Sequence, residues 1–522
     1  MAPKSGIGGS GRTFGCMVMR GRYGYGSCAA ALAVGALVLV AGCGTTAVPD
    51  HGRNSSGYTA PAPAPVSGVP EDEASGASDQ LSTFALDVDT ASYGFAQRTL
   101  AGGALPDPKT VRAEEFVNSF RQDYPQPKGN GFSVTTDGAR ISGVDGDGWS
   151  LMRVGLATRE AEDGQRPPAV LTFVVDVSGS MGEPGRLDLA RKALGMTVDA
   201  LRADDAMGIV TFSGTAKVAL PVTRLGGGSV RSRIHEVIDG LRPDASTNLA
   251  AGVKTGYAQA ERAARQGATN RVVLLSDALA NTGDTSADGI LRQIGDARSE
   301  YGITLFGVGV GSSYGDELME QLADKGDGHT SYVSTTAQAR KVFVEQLPVN
   351  VGLRARDAKA QVAFDPATVA GYRLIGYEDR AVADGDFRDD RVDGGEIGPG
   401  HTVTALYAVR LKEGADGHVA TATVRWQDPS TRAPREASGQ VDTAALSGDL
   451  WTGKASPRLR VDAVAAYFAD ILRTYDTGEE QLPDPLSLAQ LSRHAHALAK
   501  LTEDSAVTGL ATAIDQAREL RA

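Results

Sequence analysis

A continuous apolar run followed at once by small polar residues decides the fold. The run reads Leu171-Thr172-Phe173-Val174-Val175 and continues as Asp176-Val177-Ser178-Gly179-Ser180. An uninterrupted apolar run of this length is typical of a central strand that is buried on both faces of a parallel sheet. Residues that follow such a strand lie at its carboxyl end, where open parallel sheets bind their ligands. We therefore expect a buried strand that ends in a functional loop.

Three further apolar runs repeat this signature and alternate with stretches of helical spacing. The runs are Met207–Phe212, Arg271–Leu275 and Ile303–Val308, and the helical stretches are Leu187–Leu201, Leu249–Arg265 and Ile290–Glu300. Strands that alternate with helices are typical of a parallel sheet with crossover helices. The sequence predicts an α/β fold with a doubly wound, mostly parallel sheet over residues 168–348.

Side chains with hard oxygen donors occur on three loops of this predicted domain. Asp176, Ser178 and Ser180 alternate after the first strand, Thr247 stands just before a predicted helix, and Asp277 follows a later strand. Alternate spacing lets the first three side chains converge on one point. Carboxylate and hydroxyl oxygens suit Mg²⁺ or Mn²⁺. The sequence therefore predicts a divalent metal site at the carboxyl edge of the sheet.

These residues resemble the metal-ion-dependent adhesion site (MIDAS) of the von Willebrand factor type A (VWA) domain, whose fold is Rossmann-like. That site uses a D-x-S-x-S loop, a distant threonine and a second distant aspartate. The resemblance implies five metal ligands, which are Asp176, Ser178, Ser180, Thr247 and Asp277. It also implies that the hydroxyls contact the metal, that the aspartates commonly act through water, and that a partner's carboxylate fills an open position. Ala278 departs from the pattern, because many relatives have glycine there.

The D-x-S-x-S pattern has consequences for substitution experiments. Since few charged side chains surround the metal, Mg²⁺ stays electrophilic and an acidic residue of a partner completes its coordination. We expect Thr247 and Asp277 to lie on exposed loops. Replacing either by alanine is then expected to abolish metal-dependent binding while leaving the fold near native.

The N-terminal 80 residues predict export and anchoring. Four basic residues and no acidic ones occur in residues 1–42, and the apolar run Ala29–Ala41 is too short to span a bilayer but typical of a signal peptide. The stretch Leu39–Cys43 resembles the bacterial lipobox, which implies that Cys43 carries acyl chains such as palmitate on the extracytoplasmic face of the cell membrane. Residues 43–80, rich in Pro, Ala and Ser, predict a disordered tether.

The segments around the α/β domain predict two flanking regions and a helical end. We expect an N-terminal flanking region at 81–160, a β-rich region at 349–445 and a helical C-terminal region at 446–522. The first is predicted to contain a strand over Leu81–Tyr93, a helix near Val111–Phe120 and strands within Phe132–Thr158 around a turn at Asp145–Gly148. The second is predicted to contain strands in Val362–Tyr377, Thr402–Leu411 and Val419–Trp426, and the third, helices over Leu459–Leu520.

A further hypothesis concerns how these flanks combine. Strands from Phe132–Thr158 and from 360–426 form one sheet unit into which the α/β domain is inserted. The flanks also resemble those of bacterial VWA-containing lipoproteins, through Ser82–Tyr93, Gly371–Glu378 and Gly394–Gly398.

Several other patterns have simpler interpretations. The seven histidines (51, 235, 329, 401, 418, 494 and 496) show no triad or metal spacing. The glycines of Gly307–Gly311 favour tight turns over a dinucleotide loop, because Ser312 breaks the register. The pair Asp87 and Asp89 favours a capping role over a second metal site. The acidic loop 386–396 favours a solvated turn over a Ca²⁺ site, since it lacks EF-hand spacing. Its acidic residues are Asp386, Asp389, Asp390, Asp393 and Glu396.

Charge and motif content narrow the function. The chain of 522 residues has 52 basic and 64 acidic residues, a net charge of -12, which opposes binding to nucleic acid. Ser178 and Ser180 lack the G-x-S-x-G context of a hydrolase nucleophile, and Ser178 stands where a phosphatase of the dehalogenase type needs a second aspartate. We expect a membrane-anchored binding protein that recognises a protein partner through its metal. The alternatives are a metal-independent structural or assembly factor of the cell envelope and a metal-dependent hydrolase using Asp176.

Overall fold

The structure is a computed structural model of the chain that describes 13 stretches of sequence. They are residues 80–141, 148–160, 166–244, 246–277, 286–292, 301–311, 322, 329–347, 353–392, 394–429, 431–475, 477 and 481–521. The predicted signal peptide, Cys43, the tether up to residue 79, Asp145–Asp147, residues 293–300, Ala278 and Asp393 lie outside them.

The N-terminal flank contains three strands and two helices. They are β1 (Leu81–Ala85), α1 (Ala91–Ala101), α2 (Ala113–Asn118), β2 (Phe132–Arg140) and β3 (Trp149–Thr158). The predicted strand over 81–93 is wrong in its second half, because helix α1 begins at Ala91. The buried residues of α1, among them Tyr93, Ala96 and Leu100, have the spacing of one helix face. This spacing is visible in the sequence and could have predicted the helix.

The middle of the chain forms the predicted α/β fold. Its elements are β4 (Ala169–Asp176), α3 (Leu187–Ala200), β5 (Ala206–Phe212), β6 (Ala216–Arg224), α4 (Gly228–Asp239), α5 (Leu249–Ala263), β7 (Thr269–Ser276), α6 (Ala287–Arg292), β8 (Thr304–Val310), β9 (His329–Val333) and α7 (Thr336–Arg340). The sheet has the strand order β6-β5-β4-β7-β8-β9. All neighbours are parallel except the edge strand β6, which runs antiparallel to β5. The predicted mostly parallel sheet is confirmed.

Helices cover both faces of this sheet. On one face Phe173 and Val175 of β4 pack with the apolar side of α3. On the other face Val174 packs with Val253 and Tyr257 of α5. All five side chains are fully buried or nearly so, and each buried apolar side chain of this size stabilises the fold by about 1.5–3 kcal/mol. The continuous apolar run in β4 therefore reflects burial on two sides.

The β-rich part follows the α/β domain. It comprises β10 (Ala355–Phe364), β11 (Val369–Ile375), β12 (Gly395–Ile397), β13 (Thr402–Leu411), β14 (His418–Gln427), β15 (Pro434–Asp442) and the short helix α8 (Thr443–Leu446). One sheet has the order β1-β10-β14-β15, with β12 beside β10, and the other has the order β11-β13-β3-β2. Buried residues of both sheets, among them Phe84, Val362, Met152 and Tyr407, share one core. The two sheets therefore form a sandwich.

Each sheet of the sandwich combines strands from before and after the α/β domain. β3 pairs antiparallel with β13, with Gly155 opposite Thr404, and β1 pairs antiparallel with β10, with Thr83 opposite Gln361. The hypothesis that the two flanks share sheet structure is confirmed. Strands of the flanks at 81–160 and 349–445, predicted as separate regions, form one sandwich into which the α/β domain is inserted.

The chain ends in three helices, as predicted for Leu459–Leu520. They are α9 (Pro457–Thr474), α10 (Leu488–Thr502) and α11 (Ser505–Leu520). Ser456 caps α9 by accepting the Leu459 N–H, and Pro457 stands at its first position, where proline is favoured. These helices share a core with α1, α2 and the outer face of β3. No helix in the described part of the chain has both the length and the apolar character needed to cross a lipid bilayer.

A buried ion pair joins the sandwich to the C-terminal helices. Arg153 of β3 contacts both carboxylate oxygens of Asp137 at 2.9 and 2.7 Å and Asp462 of α9 at 2.8 Å. The side chain of Arg153 is 4% exposed and that of Asp462 is 0% exposed. Gln122 donates a further hydrogen bond to Asp462 at 2.7 Å. The burial of Arg153 and Asp462 is therefore tolerated only because each charge is paired with the other and hydrogen-bonded.

We expect Arg153→Met to lower the free energy of unfolding by about 3–5 kcal/mol, because it leaves Asp462 buried without its counter-charge. The matched control is Arg388→Met, which removes the 66% exposed partner of Glu436 and is expected to cost about 0–1 kcal/mol. Chemical denaturation of both variants checks this, and equal losses would contradict it.

A second buried charge lies where α2 meets the turn after β11. Glu114 is 3% exposed, and its Oε2 lies so close to Gly376 that a Cβ there would meet it at 2.3 Å. Gly376 has a φ of +79°, so glycine is needed for its conformation as well. Burial raises the pKa of Glu114 to about 7, and the negative charges of Glu378 and Asp87 add to that effect. Glu114 therefore titrates near neutral pH in the folded protein.

We expect the free energy of unfolding to fall by about 3 kcal/mol between pH 4.5 and pH 7 on account of Glu114, because over that range only the folded state keeps the proton. Glu114→Gln removes this dependence and is expected to be more stable than wild type at pH 8. Urea denaturation between pH 4.5 and 8 measures the difference, with exposed Glu413→Gln as control. Identical pH profiles for wild type and Glu114→Gln would contradict the expectation.

Candidate metal centre

The centre of the site is the pair of neighbouring strands β4 and β7. Val175 lies opposite Leu275 in the parallel register, so the residues that follow them, Asp176 and Ser276, lie side by side. The Ser276 hydroxyl donates to Asp176 Oδ2 at 2.5 Å, and the Ser178 N–H donates to Asp176 Oδ1 at 2.8 Å. The carboxylate of Asp176 is thereby fixed in one orientation.

The two serines of the D-x-S-x-S loop face each other. Their hydroxyl oxygens are 3.1 Å apart, as a short 3₁₀ turn over Gly179–Gly182 brings the chain back on itself. Ser178 is 1% exposed, whereas Ser180 is partly exposed. The alternation of Asp176, Ser178 and Ser180 thus brings their oxygens to one loop, as the sequence suggested.

The loop that carries Thr247 is held against the same edge. The Asp244 N–H donates to the Val177 carbonyl at 2.6 Å, and the Asn248 N–H donates to the Ser213 carbonyl at 2.7 Å. The Asn248 side chain then caps α5 by accepting the Ala251 N–H at 3.1 Å. These contacts place Thr247 between the loops that follow β4 and β5.

Asp277 follows Ser276 directly and is bound by an arginine that sequence reasoning missed. Arg186, at the start of α3, donates to Asp277 Oδ2 at 2.7 Å and to the Ser180 carbonyl at 3.0 Å. Its other terminal nitrogen lies 2.7 Å from Glu183. A single basic residue after a turn has no spacing rule that would mark it as part of the site. The glycines and proline of Gly182–Gly185 predict a turn before Arg186, which is a weak signal that the chain returns towards the loop.

The expectation that Thr247 and Asp277 lie on exposed loops is wrong. Asp176 and Asp277 are 0% exposed, and Thr247 is 2% exposed. Replacing these residues therefore affects a buried cluster, and each substitution has its own cost in stability.

The electrostatics of the cluster favour a cation. Burial raises the pKa of Asp176 to about 6, and the nearby negative charge of Asp277 raises it further, while hydrogen bonds from Ser276 and Ser178 oppose the rise. Two buried carboxylates in one cluster are stabilised when a cation lies with them. The donors are all hard oxygens, which fit Mg²⁺ or Mn²⁺. Among the described residues no group of three or more His, Cys, Asp or Glu is arranged for a metal, so this set would rely on hydroxyls.

The other candidates from the sequence have structural roles. Asp87 accepts the Asp89 N–H at 2.9 Å, and Asp89 accepts both the N–H and the hydroxyl of Thr330 on β9 at 2.7 and 3.0 Å. Arg380 lies 3.2 and 3.5 Å from the two aspartates. The pair Asp87 and Asp89 thus joins the N-terminal flank to the edge of the α/β sheet.

The acidic loop 386–396 encloses a lysine. The Lys359 ammonium donates to the carbonyls of Asp389 and Val392, each at 2.7 Å. Asp389 pairs with Arg391 at 2.6 Å and Asp390 pairs with Arg425 at 2.8 Å. The carboxylates of Asp389 and Asp390, which a Ca²⁺ site would need, are therefore paired with arginines.

The structure describes the environments of five histidines, at positions 235, 401, 418, 494 and 496. His235, His418 and His496 each lie beside one aspartate. His494 stacks on Trp451 with ring centroids 3.9 Å apart. Burial lowers the pKa of His401 to about 4.

The α/β domain has the VWA fold. The family model "von Willebrand factor type A domain" matches residues 171–345. The model "Uncharacterized protein YfbK, C-terminal" matches residues 352–431, and the model "von Willebrand factor" matches residues 70–142. VWA domains are typically modules of protein interaction, and many bind Mg²⁺ or Mn²⁺.

The chain as a whole is similar to proteins described as uncharacterised. It is 36% identical over 348 residues to "Uncharacterized protein YfbK" of Escherichia coli (strain K12), a match that covers 64% of this chain and 59% of the relative. It is 27% identical over 205 residues to an uncharacterised protein of Synechocystis sp., covering 39% of this chain and 47% of the relative. The chain therefore spans about half of the length of these curated relatives.

Solved structures with a similar arrangement include two VWA proteins. A von Willebrand factor type A protein from Catenulispora acidiphila is 15% identical, with a TM-score of 0.45, and the match covers 73% of this chain and 89% of that one. The ArnB paralog VWA2 from Sulfolobus acidocaldarius is 13% identical, with a TM-score of 0.38, and the match covers 74% and 98%.

We expect Asp277→Ala to lower the free energy of unfolding by about 2–3 kcal/mol in EDTA, because it removes a charged hydrogen bond from buried Arg186. Thr247→Ala removes a neutral hydroxyl and is expected to cost about 1 kcal/mol. Chemical denaturation in metal-free buffer separates the two. A loss in Asp277→Ala no larger than that in Thr247→Ala would contradict the structural role of the Arg186 contact.

Proposed function

We propose that this chain is a membrane-anchored, extracytoplasmic protein that binds a protein partner through a divalent metal at its VWA domain. The observation that carries the proposal is the convergence of Asp176, Ser178 and Ser180 with the loops of Thr247 and Asp277 at one edge of the sheet. The metal is Mg²⁺ or Mn²⁺, and the partner offers an acidic residue.

The five residues would contribute to metal binding in different ways. Ser178 and Ser180 have adjacent hydroxyls, and Thr247 would supply a third. Asp176 is oriented by Ser276 and by the Ser178 N–H, so it would act from a fixed position. When bound, the metal supplies an electrophilic centre for an incoming carboxylate. Ser180, the most open of the ligands in the described part of the site, marks the side from which a partner approaches.

Catalysis is not part of the proposal. A hydrolase or phosphatase that uses Asp176 as nucleophile needs a carboxylate oxygen that can reach its substrate. Asp176 is 0% exposed, and both of its oxygens already accept hydrogen bonds. This argues for a binding module and against the hydrolase alternative.

Anchoring rests on the N-terminal sequence. Lipidation of Cys43 would attach the chain to the outer face of the cell membrane, and more than one acyl chain makes such attachment stable. The tether of residues 43–80 would let the domain reach partners away from the membrane surface.

The test measures metal and partner binding together. We expect the wild-type chain without its signal peptide to bind Mg²⁺ in calorimetry, and Thr247→Ala to bind it about tenfold more weakly, which corresponds to about 1.4 kcal/mol. The control is Thr255→Ala, the same substitution within the following helix α5, which is expected to bind as wild type does. In pull-downs from envelope extract, one protein should be retained by wild type in Mg²⁺ and lost in EDTA.

The outcomes separate the candidate functions. Retention of the same protein in EDTA and by Thr247→Ala would contradict metal-dependent binding and favour the metal-independent structural or assembly role. Absence of Mg²⁺ and Mn²⁺ binding by the folded wild type would remove the metal centre altogether.

A further inference from the structure

Arg186 connects the D-x-S-x-S loop to Asp277 in the candidate metal centre. One terminal nitrogen donates both to the Ser180 carbonyl at 3.0 Å and to Asp277 Oδ2 at 2.7 Å. The Arg186 side chain is 3% exposed, so these are contacts in a low-dielectric environment, where a charged hydrogen bond is strong. The D-x-S-x-S loop and the loop after β7 are therefore held together by a cation that belongs to the protein itself.

The chain makes room for this arginine. Gly311 follows β8 with a φ of +103°, and a Cβ there would meet the Arg186 side chain at 2.6 Å (Cγ) and 2.8 Å (Nε). Glycine at this position is thus required both by the backbone and by the space that Arg186 occupies. The last glycine of Gly307–Gly311 has a role that its turn assignment did not reveal.

The position of Arg186 sets the charge of the centre. Among the buried groups of the centre, Asp176 and Asp277 bring two negative charges and Arg186 offsets one of them. Glu183 also pairs with Arg186, but its side chain is 62% exposed, so solvent screens its charge and it is left out of this count. A divalent cation then leaves the centre with a net charge of one positive unit, whereas without Arg186 the loaded centre would be neutral. An anionic ligand is attracted more strongly to the first arrangement than to the second. The same arginine repels the metal and takes an oxygen of Asp277 that the metal would share.

We propose that Arg186 is an internal counter-cation of the metal centre that weakens metal binding and thereby keeps the loaded centre positive for an acidic partner. The inference rests on the proposed function, since it concerns the charge of the same site. Arg186 is a positioning residue in this proposal: it acts on the metal through Asp277 and through its charge. Its removal should therefore tighten metal binding, whereas removal of a merely structural residue would leave it unchanged or weaken it.

The experiment titrates Mg²⁺ alone into the chain without its signal peptide, by calorimetry at low ionic strength. We expect Arg186→Gln to bind Mg²⁺ about tenfold more tightly than wild type. Arg186→Lys keeps the charge and is expected to return affinity towards the wild-type value. Lys192→Gln removes one positive charge from the exposed side of the same helix and is expected to bind as wild type does.

A second variant removes the same charge with a different side chain. Arg186→Met replaces the guanidinium by an apolar side chain, so it should also tighten Mg²⁺ binding, and it decides the matter if Arg186→Gln fails to fold by circular dichroism. Unchanged or weaker Mg²⁺ binding in the folded variants would overturn the proposal while leaving the metal centre intact. A wild type that binds no Mg²⁺ would instead overturn the proposed function on which the inference depends.

Discussion

The pairing of β3 with β13 is the interaction on which the rest of the structure depends. These strands are separated in sequence by the entire α/β domain, yet they share a continuous antiparallel register from Trp149 to Ala157. Because this pairing and that of β1 with β10 close the sandwich, the α/β domain is held at both of its ends. The C-terminal helices then pack on the outer face of the same sheet, where Arg153 meets Asp462. Loss of the pairing between β3 and β13 would open the sandwich, and with it the support of the inserted domain and of the C-terminal helices.

Within the inserted domain, charge balance governs the candidate site. Parallel register brings Asp176 and Ser276 side by side and leaves Asp277 one residue further on, so two carboxylates are buried at the same edge. Burying charges is costly unless they are paired, and in this protein part of the pairing comes from Arg186. In the described part of the chain, the site thus contains two buried carboxylates but only one buried arginine beside them. Its chemistry follows from the proximity of these two carboxylates to the buried guanidinium.

Much of this could be predicted from the sequence, because it depended on local patterns. The apolar run Leu171–Val175 marks a strand buried on two faces, and the alternation of Asp176, Ser178 and Ser180 marks a strand-end loop. What could not be predicted depends on tertiary contacts. Arg186 reaches Asp277 across 91 positions of sequence, and Glu114 is buried against Gly376 by the sandwich. Helix α1 was missed although its apolar spacing is visible, because the alternation in Leu81–Leu86 was extended past Asp89.

The place of β1 has a mechanical consequence. β1 is the first strand in the described part of the chain, and it is bound to β10 along its whole length, from the Gln80 carbonyl to the Leu86 N–H. A pull on the N-terminal side along the strand axis would load these hydrogen bonds together in shear, which resists rupture far better than opening them one at a time. Beyond β1, Asp89 passes the load to Thr330 at the edge of the α/β sheet. A force applied from the N-terminal side would therefore enter the sandwich and the α/β sheet before it reached the loops of the site.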